Sequence, residues 1–307
     1  MPAGERVIDL STGAARLSVR NAQLIIRPDD GPEASVPLAE IAVLILTNGQ
    51  VTATQTVFSG MMEAGGTVLV CDARRMPCGM MLPIQGQTLQ TQRMAAQVAA
   101  SLPTKKRLWQ QVVREKIRAQ ATILELRRTG DAGLRALAGR VRSGDPDNLE
   151  AQAAVRYWPL LFDDPTFRRR FEADDQNRLL NYGYGVLRSA VARAVCAAGL
   201  HPSLGLHHHG RNNAFCLADD LMEPYRPLVD DVVLELLSAH GRDCPLEAPA
   251  KQALVEVLIS RLDCGQNVDN PEHRTVFDCI SRTAISMTKV FAGEGDRLDF
   301  PVGLTRV

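Results

Sequence analysis

Up to about residue 85 the chain alternates apolar and polar positions with a period of two, the pattern of β-strands. Leu17 and Val19 alternate with polar neighbours, Asn21-Ala22 offers a turn, and the apolar run resumes from Leu24 to Ile26. Ile41 to Leu46 is continuously apolar, which favours a strand buried on both faces. These segments predict neighbouring strands of a small sheet structure.

Further segments complete this N-terminal region. Thr67 to Val70 and Met80 to Ile84 are strand candidates, rich in branched residues or bounded by Gly and Pro. Thr54 to Ala64 fits one short helix, closed by Gly65-Gly66. We therefore predict a small, mostly antiparallel β-rich domain over residues 1–86.

After Gln85-Gly86 the apolar positions recur with a period of 3.6, which indicates α-helices. Thr104 to Thr129 predicts a long basic helix with Gly130 as its stop, and Asp174 to Ala198 carries one continuous apolar stripe. Further helices are predicted from Lys251 to Leu262 and from Glu272 to Phe291, followed by an irregular tail from Gly293. The predicted fold class is α+β, with a larger all-helical domain over residues 87–307.

Composition and length fit an ordinary globular protein. With 307 residues, 45% hydrophobic and 23% charged, the chain can bury a full core without disulfides or metal ions to staple it. The N-terminal segment MPAGERVIDLST has no apolar stretch typical of a signal peptide, and no run is long enough to span a bilayer. We expect a cytoplasmic protein.

A net charge of zero conceals a strongly basic segment. From Arg93 to Arg142, called the basic block below, twelve Lys and Arg stand against three Asp and Glu, a net of +9. Such a block is expected of a phosphate-binding surface, although a solvated helix face would look the same. The candidate DNA contacts within it are Lys105, Lys106, Arg107 and Arg114.

The first candidate for chemistry is Glu150. A Gly-Asp-Pro break precedes it, and Asp147 can cap a new helix. On that helix Leu149, Ala153 and Tyr157 form an apolar stripe, and Glu150 lies one residue away from it among small side chains. Burying a carboxylate there is costly unless a cation compensates it. The alternative is an exposed helix glutamate, the commoner fate of Glu.

The second candidate is the run of three histidines at 207–209, flanked by Gly205 and Gly210. Adjacent histidines cannot all face one ion, so at most one or two are ligands. Imidazole tolerates solvent well, and a surface role is the ordinary alternative.

The third candidate is a pair of carboxylates, Asp220 and Glu223, on one helix face. Two like charges this close repel, and a divalent cation is a common compensation. Pro224 and Pro227 should make the backbone around Glu223 rigid. Carboxylates with one imidazole favour Mg²⁺ or Mn²⁺, and the nitrogen ligand tilts the choice toward Mn²⁺.

Three stretches resemble the CRISPR-associated protein one family of integrases and endonucleases. They are NLEAQAAVRYW around Glu150, LLNYGYGVL from Leu179 and GLHHHGRNNAFCLADDLMEPYRPLVD from Gly205. Members of that family carry a glutamate, a histidine in a G-x-x-H setting and a D-x-x-E/D pair before a proline. The resemblance implies that Glu150, His208 and Glu223 are metal ligands and catalytic residues, with Asp220 in support. The 15 residues from His208 to Glu223 resemble the type II branch.

The resemblance also implies an activity and partners. Family members insert spacer DNA into a CRISPR array by attack of a 3′-hydroxyl on a phosphodiester, in a helical catalytic domain. They form homodimers through the β domains, assemble with the small CRISPR-associated protein two and act on double-stranded DNA; in type II systems the effector nuclease can take part. Two alternatives stay open: a metal-dependent nuclease on branched DNA that integrates nothing, and a non-catalytic DNA-binding scaffold with buried ion pairs at Glu150 and Glu223.

Overall fold

The computed structural model describes residues 5–85, 89–171, 173, 175–264, 272–301 and 306, with most strands before the helices. The strands of the N-terminal part are β1 (Arg6–Leu10), β2 (Ala15–Arg20), β3 (Gln23–Pro28), β4 (Ala34–Pro37), β5 (Ile41–Leu46), β6 (Thr52–Ala53), β7 (Thr67–Cys71) and β8 (Pro77–Met81), with helix α1 (Gln55–Glu63) before β7.

The helices that follow are α2 (Gln90–Ala99), α3 (Leu102–Arg127), α4 (Leu134–Arg140), α5 (Leu149–Leu161), α6 (Asn177–Ala197), α7 (Cys216–Met222), α8 (Arg226–His240), α9 (Ala248–Glu256) and α10 (Val276–Phe291). A hairpin of β9 (Arg261–Asp263) and β10 (His273–Thr275) lies between α9 and α10. The α+β fold class is confirmed, and the helical part carries this hairpin in addition. No described helix is both long and apolar enough to cross a membrane.

The N-terminal strands form two four-stranded sheets of mixed direction. The first has the order β1-β5-β7-β8, in which β1, β5 and β7 are parallel and β8 is antiparallel to β7. The second has the order β4-β3-β2-β6, with a parallel pairing only between β2 and β6 among the described strands. The expectation of a mostly antiparallel domain was therefore wrong. Side-chain alternation carries no strand direction, and α1 supplies the crossover that parallel neighbours β5 and β7 require.

The predicted turn at Asn21-Ala22 is present. Both residues have positive φ, 52° and 57°, as a two-residue hairpin turn with the right twist demands. The turn sets the register in which Leu17 pairs with Ile26 and Val19 pairs with Leu24. The sequence pattern thus identified this hairpin correctly.

Strand β5 is buried on both faces, as its continuous apolar sequence predicted. Val43 and Ile45, with Leu69 of β7, belong to the large core that includes the helices. Leu44 and Val68 belong to a smaller core shared with the second sheet and α1. The first sheet therefore joins the two hydrophobic cores.

The two long helices lie where their periodicity placed them. The start of α3 is capped by Ser101, whose side chain accepts a hydrogen bond from the Thr104 backbone N–H at 3.3 Å. Helix α6 is buried along most of its length and packs against α7, α8, α9 and α10. These helices form the support on which the candidate site is built.

The C-terminal helices are shorter than predicted. The helix expected to reach Leu262 ends as α9 at Glu256 and a 3₁₀ turn, after which Ser260 is extended. The helix expected from Glu272 begins as α10 at Val276, with the Thr275 side chain accepting from the Asp278 N–H. Pairing of β9 with β10 outweighs helix propensity here. The predicted domain boundary after residue 86 lies outside the described residues.

Candidate active site

One face of α3 brings distant carboxylates together. Trp109 and Lys116 lie seven residues apart, two turns of one helix face. The Lys116 Nζ atom is 2.6 Å from Glu150 Oε1 and 2.6 Å from Glu223 Oε2. Burial alone would lower the pKa of Lys116, but attraction by Glu223 and Glu150 outweighs it, so the pKa is raised. The structure therefore gathers two predicted ligands around one charged ammonium.

Glu150 is held at the start of α5 by Asp145. The Asp145 carboxylate accepts hydrogen bonds from the backbone N–H of Leu149 at 2.9 Å and of Glu150 at 3.0 Å. The predicted cap, Asp147, is wrong: it pairs with Arg142 instead, because the left-handed Asn148 (φ 50°) turns the chain back onto Asp145. The Glu150 side chain is only 25% exposed, which disfavours the simple solvated alternative.

Glu223 begins a 3₁₀ turn, Glu223–Tyr225, directly after α7, and its side chain is 6% exposed. Burial would raise the pKa of Glu223, but the Arg226 and Lys116 cations outweigh it and lower the pKa, so the group is ionised. Its Oε1 lies 3.1 Å from Arg226 Nε. Its Oε2 lies close to Lys116 Nζ but lacks an aligned hydrogen bond, which leaves this buried oxygen under-satisfied.

Asp220 organises the histidine loop. Fully buried, it accepts backbone N–H bonds from Leu206 at 2.5 Å, His207 at 3.1 Å and His208 at 3.2 Å. A Cβ on Gly205 would lie 2.9 Å from Asp220 Oδ2 and 2.5 Å from the His208 carbonyl oxygen. Only glycine fits at that close approach, so Gly205, His208 and Asp220 form one interlocked unit.

The three histidines point to different surroundings. His208 Nδ1 lies 2.6 Å from Asp220 Oδ1, which leaves Nε2 for a ligand. The bond to Asp220 raises the pKa of His208 against burial, and nearby Glu223 raises it further. His207 instead stacks on Trp109, with ring centroids 4.4 Å apart, and His209 is exposed. Of the three, His208 is the histidine that shares the surroundings of Glu223.

Behind Glu223 lies a buried polar network. The Arg226 guanidinium sits 4.7 Å above the Tyr184 ring, and the Tyr184 hydroxyl donates to Asp230. The Tyr157 hydroxyl also donates to Asp230, at 3.0 Å. Burial raises the pKa of Asp230 to about 7, with the two tyrosine hydroxyls opposing the shift. The network links α5, α6 and α8 beneath the site.

We expect Asp230 to make stability depend on pH. The unfolded carboxyl loses its proton near 3.8, whereas the folded one keeps it to about 7, so stability falls as pH rises between these values. Asp230→Asn should remove this dependence. Denaturant unfolding at about pH 5 and about pH 8 should show the wild type losing roughly 3 kcal/mol more than the variant. Equal losses would mean that folded Asp230 is already charged at the lower pH.

The basic block divides into paired and unpaired residues. In the part of the chain that the structure describes, carboxylates pair with Lys116, Arg118, Arg127, Arg135 and Arg142. Lys105, Lys106 and Arg107 have no such partner there, and Arg107 donates a hydrogen bond to the Thr104 hydroxyl at 3.3 Å. Arg114 donates to the Val141 carbonyl oxygen at 2.8 Å. The start of α3 therefore carries charge that is available to a phosphate.

The side chains at the site have the ligand chemistry of a hard divalent ion, but the place between the carboxylates is occupied by the Lys116 ammonium. The oxygens of Glu150 and Glu223 converge on a single cation, and Glu223 Oε2 is under-satisfied. Yet among the described residues no three His, Cys, Asp or Glu side chains form a group ready to hold a metal ion. The ammonium of Lys116 stands between the two carboxylates, at the place where an ion bonded to both would lie.

Sequence reasoning missed several residues of this site. Lys116 was indistinguishable in the sequence from the other cations of the basic block. Arg226, three residues after Glu223, could have been found as an ion-pair partner on the same face. Asp145 was overlooked in favour of Asp147 because capping depends on the backbone conformation.

The fold and the site together define the class of protein. It is an α+β protein with a site lined by carboxylates and a histidine, beside a basic helix. Residues 10–243, more than half of the chain, match the family model described as CRISPR associated protein Cas1. The CRISPR-associated endonuclease Cas1 of Neisseria meningitidis serogroup C (strain 8013) is 40% identical over 256 residues, 81% of this chain and 82% of the relative. The chain belongs to the CRISPR-associated Cas1 family, which confirms the resemblance.

Solved structures share the fold. A casposase bound to its integration product has a TM-score of 0.78 at 18% identity, covering 98% of this chain and 96% of the casposase chain. A chain of a Cas6-RT-Cas1–Cas2 complex has a TM-score of 0.74 at 18% identity, covering 98% of this chain and 36% of that one. At such identities the likeness concerns the fold alone.

Proposed function

We propose that this protein is a divalent-metal-dependent DNA endonuclease and integrase of CRISPR adaptation, which inserts spacer DNA into a CRISPR array. The convergence of Glu150 and Glu223, with His208 beside Glu223, carries the proposal. Membership of the Cas1 family supports it, because the Neisseria relative is named an endonuclease. That similarity also supports the type II branch.

Glu150, His208 and Glu223 would hold Mg²⁺ or Mn²⁺, which lowers the pKa of an attacking hydroxyl and offsets charge at the attacked phosphate. Asp220 keeps His208 oriented through Nδ1 so that Nε2 is presented. The 3′-hydroxyl oxygen bonds to phosphorus and its proton leaves to solvent. The bond from phosphorus to the displaced 3′-oxygen breaks, and that oxygen takes up a proton from solvent. One phosphodiester replaces another, so no nucleotide cofactor is needed; water in place of the hydroxyl gives cleavage.

We expect Mn²⁺ or Mg²⁺ to support strand cleavage and joining, and EDTA to abolish both. The reason is that a divalent ion held by these carboxylates would lower the pKa of the attacking hydroxyl and offset the charge that develops on the phosphate, which the Lys116 ammonium does not do as a Lewis acid. The measurement is product formation from labelled duplex with and without chelator. Undiminished activity in excess EDTA would exclude a metal mechanism at this site.

The same assay distinguishes the alternatives. Labelled DNA with a 3′-hydroxyl should become covalently joined to a repeat-containing plasmid. Cleavage of branched DNA without joined product would indicate a nuclease that does not integrate. Binding without any metal-dependent chemistry would indicate a scaffold.

The proposed function includes partners and a location. Double-stranded DNA is the substrate, held by the basic block. We further propose a homodimer through the β domains and a complex with CRISPR-associated protein two, in the cytoplasm. The shared fold with a chain of the Cas6-RT-Cas1–Cas2 complex supports the second assembly. Participation of the type II effector nuclease belongs to the same proposal.

Replacing Lys105, Lys106 and Arg107 together by alanine should weaken DNA binding for all sequences alike. These side chains have no carboxylate partner in the described structure, so their loss removes phosphate contacts and released counterions. The slope of log affinity against log salt should become shallower by about 2 to 3. Filter binding or fluorescence anisotropy over a salt series measures this.

The matched control replaces Arg118, Arg135 and Arg142, cations of the same block that already pair with carboxylates. That variant should keep most of its affinity and salt slope. An equal loss in both variants would show that total charge, and not the start of α3, binds DNA.

A further inference from the structure

Lys116 occupies the position where two predicted metal ligands meet. Its side chain is 13% exposed, and its Nζ lies 2.6 Å from both Glu150 Oε1 and Glu223 Oε2. The Lys116 side chain projects from the middle of helix α3, so the packing of that helix fixes the position of the ammonium. The carboxylates are thereby kept close together without a metal ion.

The charges of the two carboxylates that meet at Lys116 are balanced without a metal ion. Glu150 and Glu223 supply two negative charges, and Lys116 and Arg226 supply two positive ones. A divalent ion bonded to the same oxygens would lie directly beside the ammonium. Two cations that close repel each other strongly in a buried site. The ammonium and the ion therefore exclude one another.

An ammonium that leaves this position needs another anion, because an unpaired buried charge is costly. The neighbouring acids are already engaged. Asp220 accepts bonds from the histidine loop, Asp219 pairs with Arg188, and Asp145 caps α5. A phosphate of the bound DNA is the anion that the proposed reaction brings to the site.

We propose that Lys116 is an internal counter-cation that holds the metal position in the metal-free protein and passes to a DNA phosphate when a divalent ion enters. This inference rests on the proposed function. This transfer makes metal binding and DNA binding cooperative. The metal ion frees the ammonium to pair with a phosphate, and the phosphate offsets the free energy needed to displace the ammonium from the carboxylates. Lys116 is thus a positioning residue for the carboxylates before metal binding and a phosphate contact afterwards.

The test measures Mn²⁺ affinity of the full chain by calorimetry without DNA. Lys116→Met removes the competing charge and should bind Mn²⁺ at least about tenfold more tightly than the wild type. Lys116→Arg keeps a cation and should stay near the wild type. Lys289→Met, at an exposed position on α10, is the matched control and should not change the affinity. Unchanged or weaker binding by Lys116→Met overturns the competition.

The second measurement repeats the titration with saturating duplex DNA. The wild type should gain affinity for Mn²⁺ when DNA is present, and Lys116→Met should gain at least about tenfold less. Equal gains overturn the transfer to phosphate. A wild type that binds no Mn²⁺ in either titration contradicts the proposed function itself, an outcome distinct from both. Because Lys116→Met leaves one of the two carboxylate charges unbalanced, circular dichroism should confirm folding. Lys116→Gln, which is also uncharged but can still hydrogen-bond to the carboxylates, is the substitute if Lys116→Met does not fold.

Discussion

Glu223→Gln and Glu150→Gln are each expected to reduce metal-dependent strand cleavage and joining by about a thousandfold. Glutamine preserves the shape of the side chain but removes the charge that attracts a divalent ion, and an amide oxygen is a much weaker ligand. The effect should appear as lost turnover at saturating DNA, because neither group belongs to the unpaired start of α3. Rates with labelled duplex over a range of Mn²⁺ concentrations measure it.

The two variants should differ in stability. Glu223 is 6% exposed and paired with Lys116 and Arg226, so its neutralisation leaves buried cations and should cost about 3 kcal/mol. Glu150 is 25% exposed and should cost less. Glu63→Gln, an exposed glutamate near the end of α1, is the matched control and should keep full activity and stability. Wild-type rates in either site variant would place the chemistry elsewhere.

Asp220→Ala should eliminate activity as completely as His208→Ala, although Asp220 need not touch a metal ion. The substitution removes a fully buried carboxylate and leaves three backbone N–H groups and the His208 ring without their shared acceptor. We expect unfolding free energy to fall by about 3 kcal/mol or more, whereas His208→Ala should keep the fold. Paired measurements of joining rate and denaturant stability separate a ligand from its support.

The histidine series checks the register of the site. His208→Ala should abolish joining, and His209→Ala should have little effect because His209 is exposed. His207→Ala should be intermediate, since it loses the stack on Trp109. Wild-type activity in His208→Ala with loss in a neighbouring variant would contradict the assignment and would require independent tests of Glu150 and Glu223.

Much of the fold could be predicted from the sequence because buried apolar positions recur with the period of the helix or strand that carries them. The continuous apolar strand β5, the hairpin at Asn21-Ala22 and helices α3 and α6 all follow from local patterns. Strand direction did not, because parallel and antiparallel strands share one side-chain period. Nor did the ends of the C-terminal helices, where strand pairing outweighed helix propensity.

The parts of the candidate site that lie in local sequence motifs could be predicted. The parts that depend on contacts between distant segments of the chain could not. The spacing of Asp220 and Glu223 on one face, and the glycine before the histidines, are local features. That Lys116 stands between two carboxylates from other elements depends on long-range packing of α3, which no local pattern contains. The roles of Glu150, His208 and Glu223 as ligands stay predictions.

Strand β5, with one face in each hydrophobic core, has a consequence for protein engineering. Cutting the chain near residue 86 would uncover Val43, Ile45 and Leu69 on one fragment and their helical contacts on the other. Each fragment would expose a large hydrophobic surface to solvent, and we expect both fragments to aggregate. Heating should likewise melt both parts in a single transition, so calorimetry of the intact chain should show one peak rather than two.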